Sequence, residues 1–91
     1  MTTKRYIVLG EVEDIDAWRR ERGLSRREVV ACSTRYGHLA VRGLSGNGYK
    51  VVILPSWSRA SEGVRRALEQ NMRVYASIGA VQVDNLEALA A

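Results

Sequence analysis

The chain is poor in three residue types that carry much of protein chemistry. It holds one cysteine, one histidine and one proline. A single cysteine, Cys32, excludes an intrachain disulfide and a cysteine-based zinc site. It suits a reducing cytoplasm. Without a visible partner to lower its pKa, Cys32 reads as buried core rather than as a nucleophile. Catalysis by a Cys32–His38 or serine–histidine pair would need a geometry that no motif here specifies. Long apolar runs are missing too. None approaches the roughly 20 residues that cross a bilayer. The N-terminus has a basic start, a short apolar segment and no small-residue cleavage site. It therefore predicts no signal peptide, and the expected setting is cytoplasmic.

Ninety-one residues predict one domain, near the lower size limit for a core without staples. The hydrophobic share of 46% is that of a globular protein rather than a disordered one. The net charge is +4 and the basic residues are nearly all arginine. Arginine suits bidentate contact with phosphate or carboxylate. It also serves as a plain solvated cation, so the balance raises a nucleic-acid or nucleotide partner without establishing one.

Arg5–Leu9 is a short apolar run without polar alternation, as in a parallel strand buried on both faces. Acids follow at Glu11, Glu13, Asp14 and Asp16, and they complement the start of a helix, with Asp14 as its expected N-cap. Val12, Ile15 and Trp18 recur at helical spacing and are expected to face a sheet. Gly23 ends this helix. Leu24–Glu28 reads as a polar connection and Glu28–Ser33 as a second, β-branched strand. Residues 36–44 are ambiguous, because Tyr36, Leu39, Ala40 and Leu44 share a helical face interrupted by glycines. Tyr49–Leu54 is the strongest strand, ended by Pro55. Ser58 or Ser61 caps the following helix, whose apolar stripe is Val64, Leu68, Met72 and Tyr75. Gly79 stops it, Val81–Val83 forms a last short strand, and residues 84–91 add a turn or fray.

Strands alternating with helices predict an α/β fold: a small three-layer, Rossmann-like unit with a mostly parallel four-stranded sheet. The preferred strand order is 2-1-3-4. Ligands in such sheets bind beyond the carboxyl ends of the strands, near the point where strand order reverses. That directs attention to three loops. Gly10–Asp14 has one glycine and several acids, which excludes a dinucleotide fingerprint and would repel phosphate. No Gly-Lys-Ser/Thr phosphate loop follows any strand. The loop after the third strand is more receptive. Ser56, Trp57, Ser58, Arg59 and Ser61 offer hydroxyls, a guanidinium, an aromatic ring and a helix N-terminus together. Trp57 is the expected stacking surface. The competing structural reading makes the serines caps and Trp57 a cover for the sheet edge. Ser33, Thr34 and Arg35 after the second strand, with Arg42 further on, are candidates to contribute across the same edge. Separately, Arg19, Arg20, Arg22, Arg26 and Arg27 form a basic stretch that reads either as a solvated face or as a phosphate-contacting patch. In the last long helix, Glu62/Arg66, Arg65/Glu69 and Glu69/Arg73 have the spacing to pair internally.

Three stretches together, Trp18–Glu28, Val41–Gly46 and Tyr49–Trp57, resemble small Rossmann-like accessory proteins encoded by actinobacterial phages. That resemblance implies a fold and a phage setting rather than an activity. Arg42-Gly-Leu-Ser-Gly before an apolar strand is also similar to the segment preceding the acidic strand of helicase and terminase ATPases. There the strand ends in acids that hold magnesium and water. Here it ends in Leu54-Pro55-Ser56, which argues against ATP hydrolysis. The Leu-Pro-Ser-Trp loop and its helix are similar to nucleoside deoxyribosyltransferase-like nucleotide-binding domains, whose catalytic tyrosine and glutamate have no placement here. The residues thus favour a non-enzymatic binding protein that engages nucleic acid, a nucleotide, or a host or second protein copy. No cofactor, metal or membrane is implied. The alternative is a nucleotide- or nucleoside-directed enzyme using the Ser56–Ser61 loop.

Overall fold

The computed structural model describes residues 6–37, 41 and 48–83. Four strands, β1 (Tyr6–Gly10), β2 (Val29–Ser33), β3 (Tyr49–Ile53) and β4 (Val81–Gln82), form one parallel sheet in the order β2-β1-β3-β4. Helix α1 (Val12–Glu21) connects β1 to β2, and α2 (Glu62–Ser77) connects β3 to β4. Short 3-10 turns cover Arg26–Glu28 and Pro55–Arg59. This is the small Rossmann-like α/β arrangement that the alternation of strands and helices predicts. Among the described residues, no helix is long and apolar enough to cross a membrane.

The central strand explains its own composition. Ile7, Val8 and Leu9 are all fully buried, because β1 has a strand on each side and helices over its faces. Register assigns the faces. Ile7 and Leu9 lie beside Val30 and Cys32 on one side and Val51 and Ile53 on the other. This face meets α2, whose Leu68 and Met72 join Ile7, Leu9, Cys32, Val41, Tyr49, Trp57 and Val81 in the core. Val8 lies beside Ala31 on the opposite face, the side covered by α1, where Ile15 is buried. The ring of Trp18 meets Tyr6 edge-on, with centroids 5.3 Å apart.

Several boundaries differ from the sequence expectation. Helix α1 starts directly after β1, with Glu11 rather than Asp14 at its N-cap. Asp14 sits inside the first turn, where it still complements the dipole. Val12 is 62% exposed rather than packed on the sheet, because the first helical residue projects beyond the strand ends. β2 begins at Val29. Glu28 closes the preceding turn instead, its Oε1 accepting from the Ser25 N–H at 3.1 Å and from the Ser25 hydroxyl at 2.9 Å. β3 ends at Ile53, but the ladder reaches one bond further, since the Leu54 N–H donates to the Leu9 carbonyl at 2.8 Å. β4 stops at Gln82. Gly23 and Gly79 follow their helices with φ of 64° and 76°, the left-handed conformation that glycine adopts without a Cβ penalty. Of the ambiguous 36–44 segment, only Tyr36, Gly37 and Val41 are described. His38, Arg42 and the 84–91 tail lie outside the described residues.

The join between β1 and the turn after β3 leaves no room for a side chain at Gly10. A Cβ on Gly10 would lie 2.8 Å from Ser56 Oγ and 3.0 Å from Leu54 Cβ. Ser56 Oγ accepts the Glu11 N–H at 2.9 Å, one of the four donors that α1 cannot satisfy internally. Gly10→Ala is therefore expected to destabilise the protein by about 1–3 kcal/mol through overpacking. Trp57→Ala is expected to cost about 3–5 kcal/mol, as for other buried large-to-small changes. Urea denaturation checks both. An unchanged midpoint in either variant would contradict this packing.

Candidate functional site

Strand order reverses between β1 and β3, and the carboxyl ends of β1 and β2 open onto the start of α2. There an open cleft of about 530 Å³ is lined by Glu11, Thr34, Arg35, Tyr36, Arg59, Ser61 and Val64. Its volume falls in the ~300–1,000 Å³ range of small-molecule sites. A smaller depression beside it, about 300 Å³, adds Val12 and Ser33. Four of the expected site residues, Thr34, Arg35, Arg59 and Ser61, therefore converge from two loops.

Each is positioned by a short-range cause. Ser33 ends β2 and its Oγ accepts the Tyr36 N–H at 3.1 Å. This side-chain turn directs Arg35 and Tyr36 outward, where both are exposed. Gly37 then passes so close to Cys32 that a Cβ would lie 3.0 Å from the Cys32 carbonyl carbon. On the other side, the 3-10 turn Pro55–Arg59 leads into Ser61, which caps α2 by accepting the Val64 N–H at 3.3 Å. A hydroxyl that accepts one bond still has its own proton to donate. Ser61 thus serves as a cap and remains a donor at the cleft wall. Ser61, not Ser58, is the cap; the Ser58 hydroxyl donates to the Pro55 carbonyl at 3.1 Å.

The charges around the cleft are uncommitted. Among the described residues, neither Arg35 nor Arg59 forms an ion pair or hydrogen bond, and the Glu11 carboxylate forms none. The first-strand loop and the arginine loops thus share one cleft, although the acids of Gly10–Asp14 read as hostile to phosphate. Two guanidiniums and the N-terminus of α2 face one carboxylate, so the cleft remains attractive to anions.

Two expectations are corrected. Trp57 is 2% exposed and part of the core, so it cannot stack on a ligand. The three-residue repeat of the 3-10 turn points Trp57 and Ala60 inward together; both are buried while Ser58 and Arg59 are exposed. Ser56 is also buried and committed to Glu11. The aromatic surface at the cleft is instead Tyr36, 65% exposed. In the sequence it stands only as one residue of an ambiguous helical face. Its signal was its place three residues after a serine at a strand end.

The basic stretch around α1 is also less free than its composition suggests. Asp16 pairs with Arg19 at 3.1 Å and Arg20 at 3.3 Å. The Arg19 hydrogen bond lowers the Asp16 pKa; desolvation opposes it, and the nearby positive charges of Arg20, Arg19 and Arg26 add to the lowering. Arg19 also donates to the Leu24 carbonyl at 3.0 Å. Arg22 lies 4.3 Å from the centre of the Trp18 ring and donates to the Trp18 carbonyl. Arg26 and Arg27 are exposed on the turn before β2. In α2, Arg66 pairs with Glu62 and Arg73 with Glu69.

Cys32 is fully buried and desolvation pushes its thiol from 9.0 up to about 12, which rules it out as a nucleophile near neutral pH. Among the described residues, no three histidine, cysteine or acidic side chains converge as metal ligands. Family models, curated proteins and solved structures give no match to the chain.

The buried thiol gives a direct check. Cys32 should resist a thiol-specific reagent at pH 8 in the folded protein and react at once in denaturant. Because its folded pKa is raised, its contribution to stability is present below pH 9 and declines as the pH rises towards 12. Rapid labelling of the native protein would show that the thiol is accessible after all.

Proposed function

We propose that this protein is a small binding module for a phosphate-bearing ligand, nucleic acid or nucleotide, held at the carboxyl edge of its sheet. The observation that carries this reading is the placement of Arg35 and Arg59, both without an ion pair among the described residues, in one cleft beside the start of α2. Backbone N–H groups at a helix start add a sequence-independent attraction for anions. The Thr34 and Ser61 hydroxyls supply neutral hydrogen bonds. The burial of Cys32 removes the one thiol that covalent catalysis could use, which favours binding over turnover. A reducing cytoplasm suits a single buried thiol, and the phage setting rests on the sequence resemblance alone.

The cleft, rather than the α1 arginines, carries the proposed contact. Asp16 already pairs with Arg19 and Arg20, so α1 offers less uncommitted positive charge than a count of arginines suggests. A salt titration of binding to random-sequence DNA, RNA and free nucleotides tests the reading. Affinity should fall steadily with salt. Arg35→Ala with Arg59→Ala should weaken binding at least about tenfold, since a hydrogen bond to a charged group contributes roughly 1.5–3 kcal/mol. Asp16→Asn, which releases Arg19 and Arg20, should change binding far less. No binding of any member at about 50 mM salt, where phosphate contacts are strongest, would show the proposal to be wrong. A large gain from Asp16→Asn with no loss from the cleft variants would move the contact to α1.

A further inference from the structure

The cleft holds charges of both signs that do not neutralise one another. Glu11 lines it from the end of β1, Arg35 from the end of β2 and Arg59 from the turn before α2. Their side chains form no ion pair or hydrogen bond with each other or with any described neighbour. A site for a bare anion has no use for a carboxylate, which lowers its affinity. A carboxylate is an acceptor only. It therefore suits a ligand that carries donors as well as an anion. The two guanidiniums and the hydroxyls of Thr34 and Ser61 suit a phosphate. Tyr36, exposed beside Arg35, adds a flat aromatic face, and such faces accept any base by stacking.

We infer that the cleft takes a ribonucleoside 5′-monophosphate or a 5′-phosphorylated RNA end, with Glu11 accepting from the ribose hydroxyls and Tyr36 carrying the base. This rests on the phosphate-binding reading above and adds its ligand class. Glu11 is then the specificity-determining residue. Its carboxylate opposes the phosphate and rewards the sugar, so it gives up affinity for simple phosphates and selects ribose. A hydroxyl that meets a built acceptor is discriminated strongly, because its absence leaves the acceptor unpaired. Glu11 is well suited to this role. Its backbone N–H is fixed by Ser56 Oγ at 2.9 Å and its carbonyl accepts from Ile15 at 3.0 Å, so the side chain starts from a rigid base.

The test is isothermal titration of the full chain with inorganic phosphate, ribose 5-phosphate, phosphoserine, and the 5′-monophosphates of adenosine and cytidine with their 2′-deoxy counterparts. Wild-type protein should bind each ribonucleotide about tenfold more tightly than its deoxy form. Glu11→Gln should bring that ratio close to one while tightening inorganic phosphate. Tyr36→Leu should weaken the nucleotides and leave ribose 5-phosphate unchanged. Thermal unfolding of both variants checks that the fold is intact, and both side chains lie outside the core. Equal binding of ribo and deoxy forms, or a Glu11→Gln effect of the same sign and size on phosphate and nucleotide, would overturn the inference and leave the phosphate-binding reading standing. Phosphoserine bound more tightly than any nucleotide would assign Glu11 to an ammonium group instead, and would also overturn it. Absence of binding to every phosphate compound would remove both.

Discussion

The fold turns on one hydrogen bond made where there is no room for a side chain. Ser56 Oγ accepts the Glu11 N–H while Gly10 lets Ser56 and Leu54 come within contact distance. Three demands meet here. The central strand must end, α1 must start without an unsatisfied donor, and β3 must turn away towards α2. A methyl group at residue 10 would push these apart. The cleft inherits its geometry from this join, because Glu11 and the turn carrying Arg59 leave the same junction on opposite sides.

Much of the architecture was legible in the sequence because it follows from burial. Ile7–Leu9 is apolar without alternation, and only a strand covered on both faces has a use for that. The stripe through Leu68 and Met72 fixes the buried side of α2, and Gly79 marks its end. The strand order 2-1-3-4, preferred from the sequence, is the order observed. Element edges were harder to read. Glu28 looks like a strand residue by position, but it closes a turn with Ser25, a choice decided by side-chain hydrogen bonds rather than by pattern.

The site was legible in part, and the failures have physical causes. A tryptophan in a hydroxyl-rich loop reads as a surface residue, but the 3-10 repeat turns Trp57 inward with Ala60. The acids after β1 read as repelling the anion site, which treats the strand-end loops as separate. Folding places Glu11 in the same cleft as Arg35 and Arg59, where opposite charges coexist unpaired. The α1 arginines read as a solvated face or a phosphate patch, but Asp16, three and four residues before Arg19 and Arg20, pairs with both, a spacing present in the sequence.

Strand order also sets a timetable for the chain as it is made. β1 is made before the strands it pairs with, and it is thoroughly enclosed once they are in place. Its register partners lie far downstream: Tyr6 pairs with Val29, 23 residues on, and with Lys50, 44 residues on. Parallel pairings over such separations form late. Until Trp57 and the α2 stripe have emerged, Ile7 and Leu9 have nothing on their face to bury against. A nascent chain of this protein thus carries apolar surface of β1 exposed until those downstream elements are made. Truncated products ending before α2 would keep that surface and tend to associate.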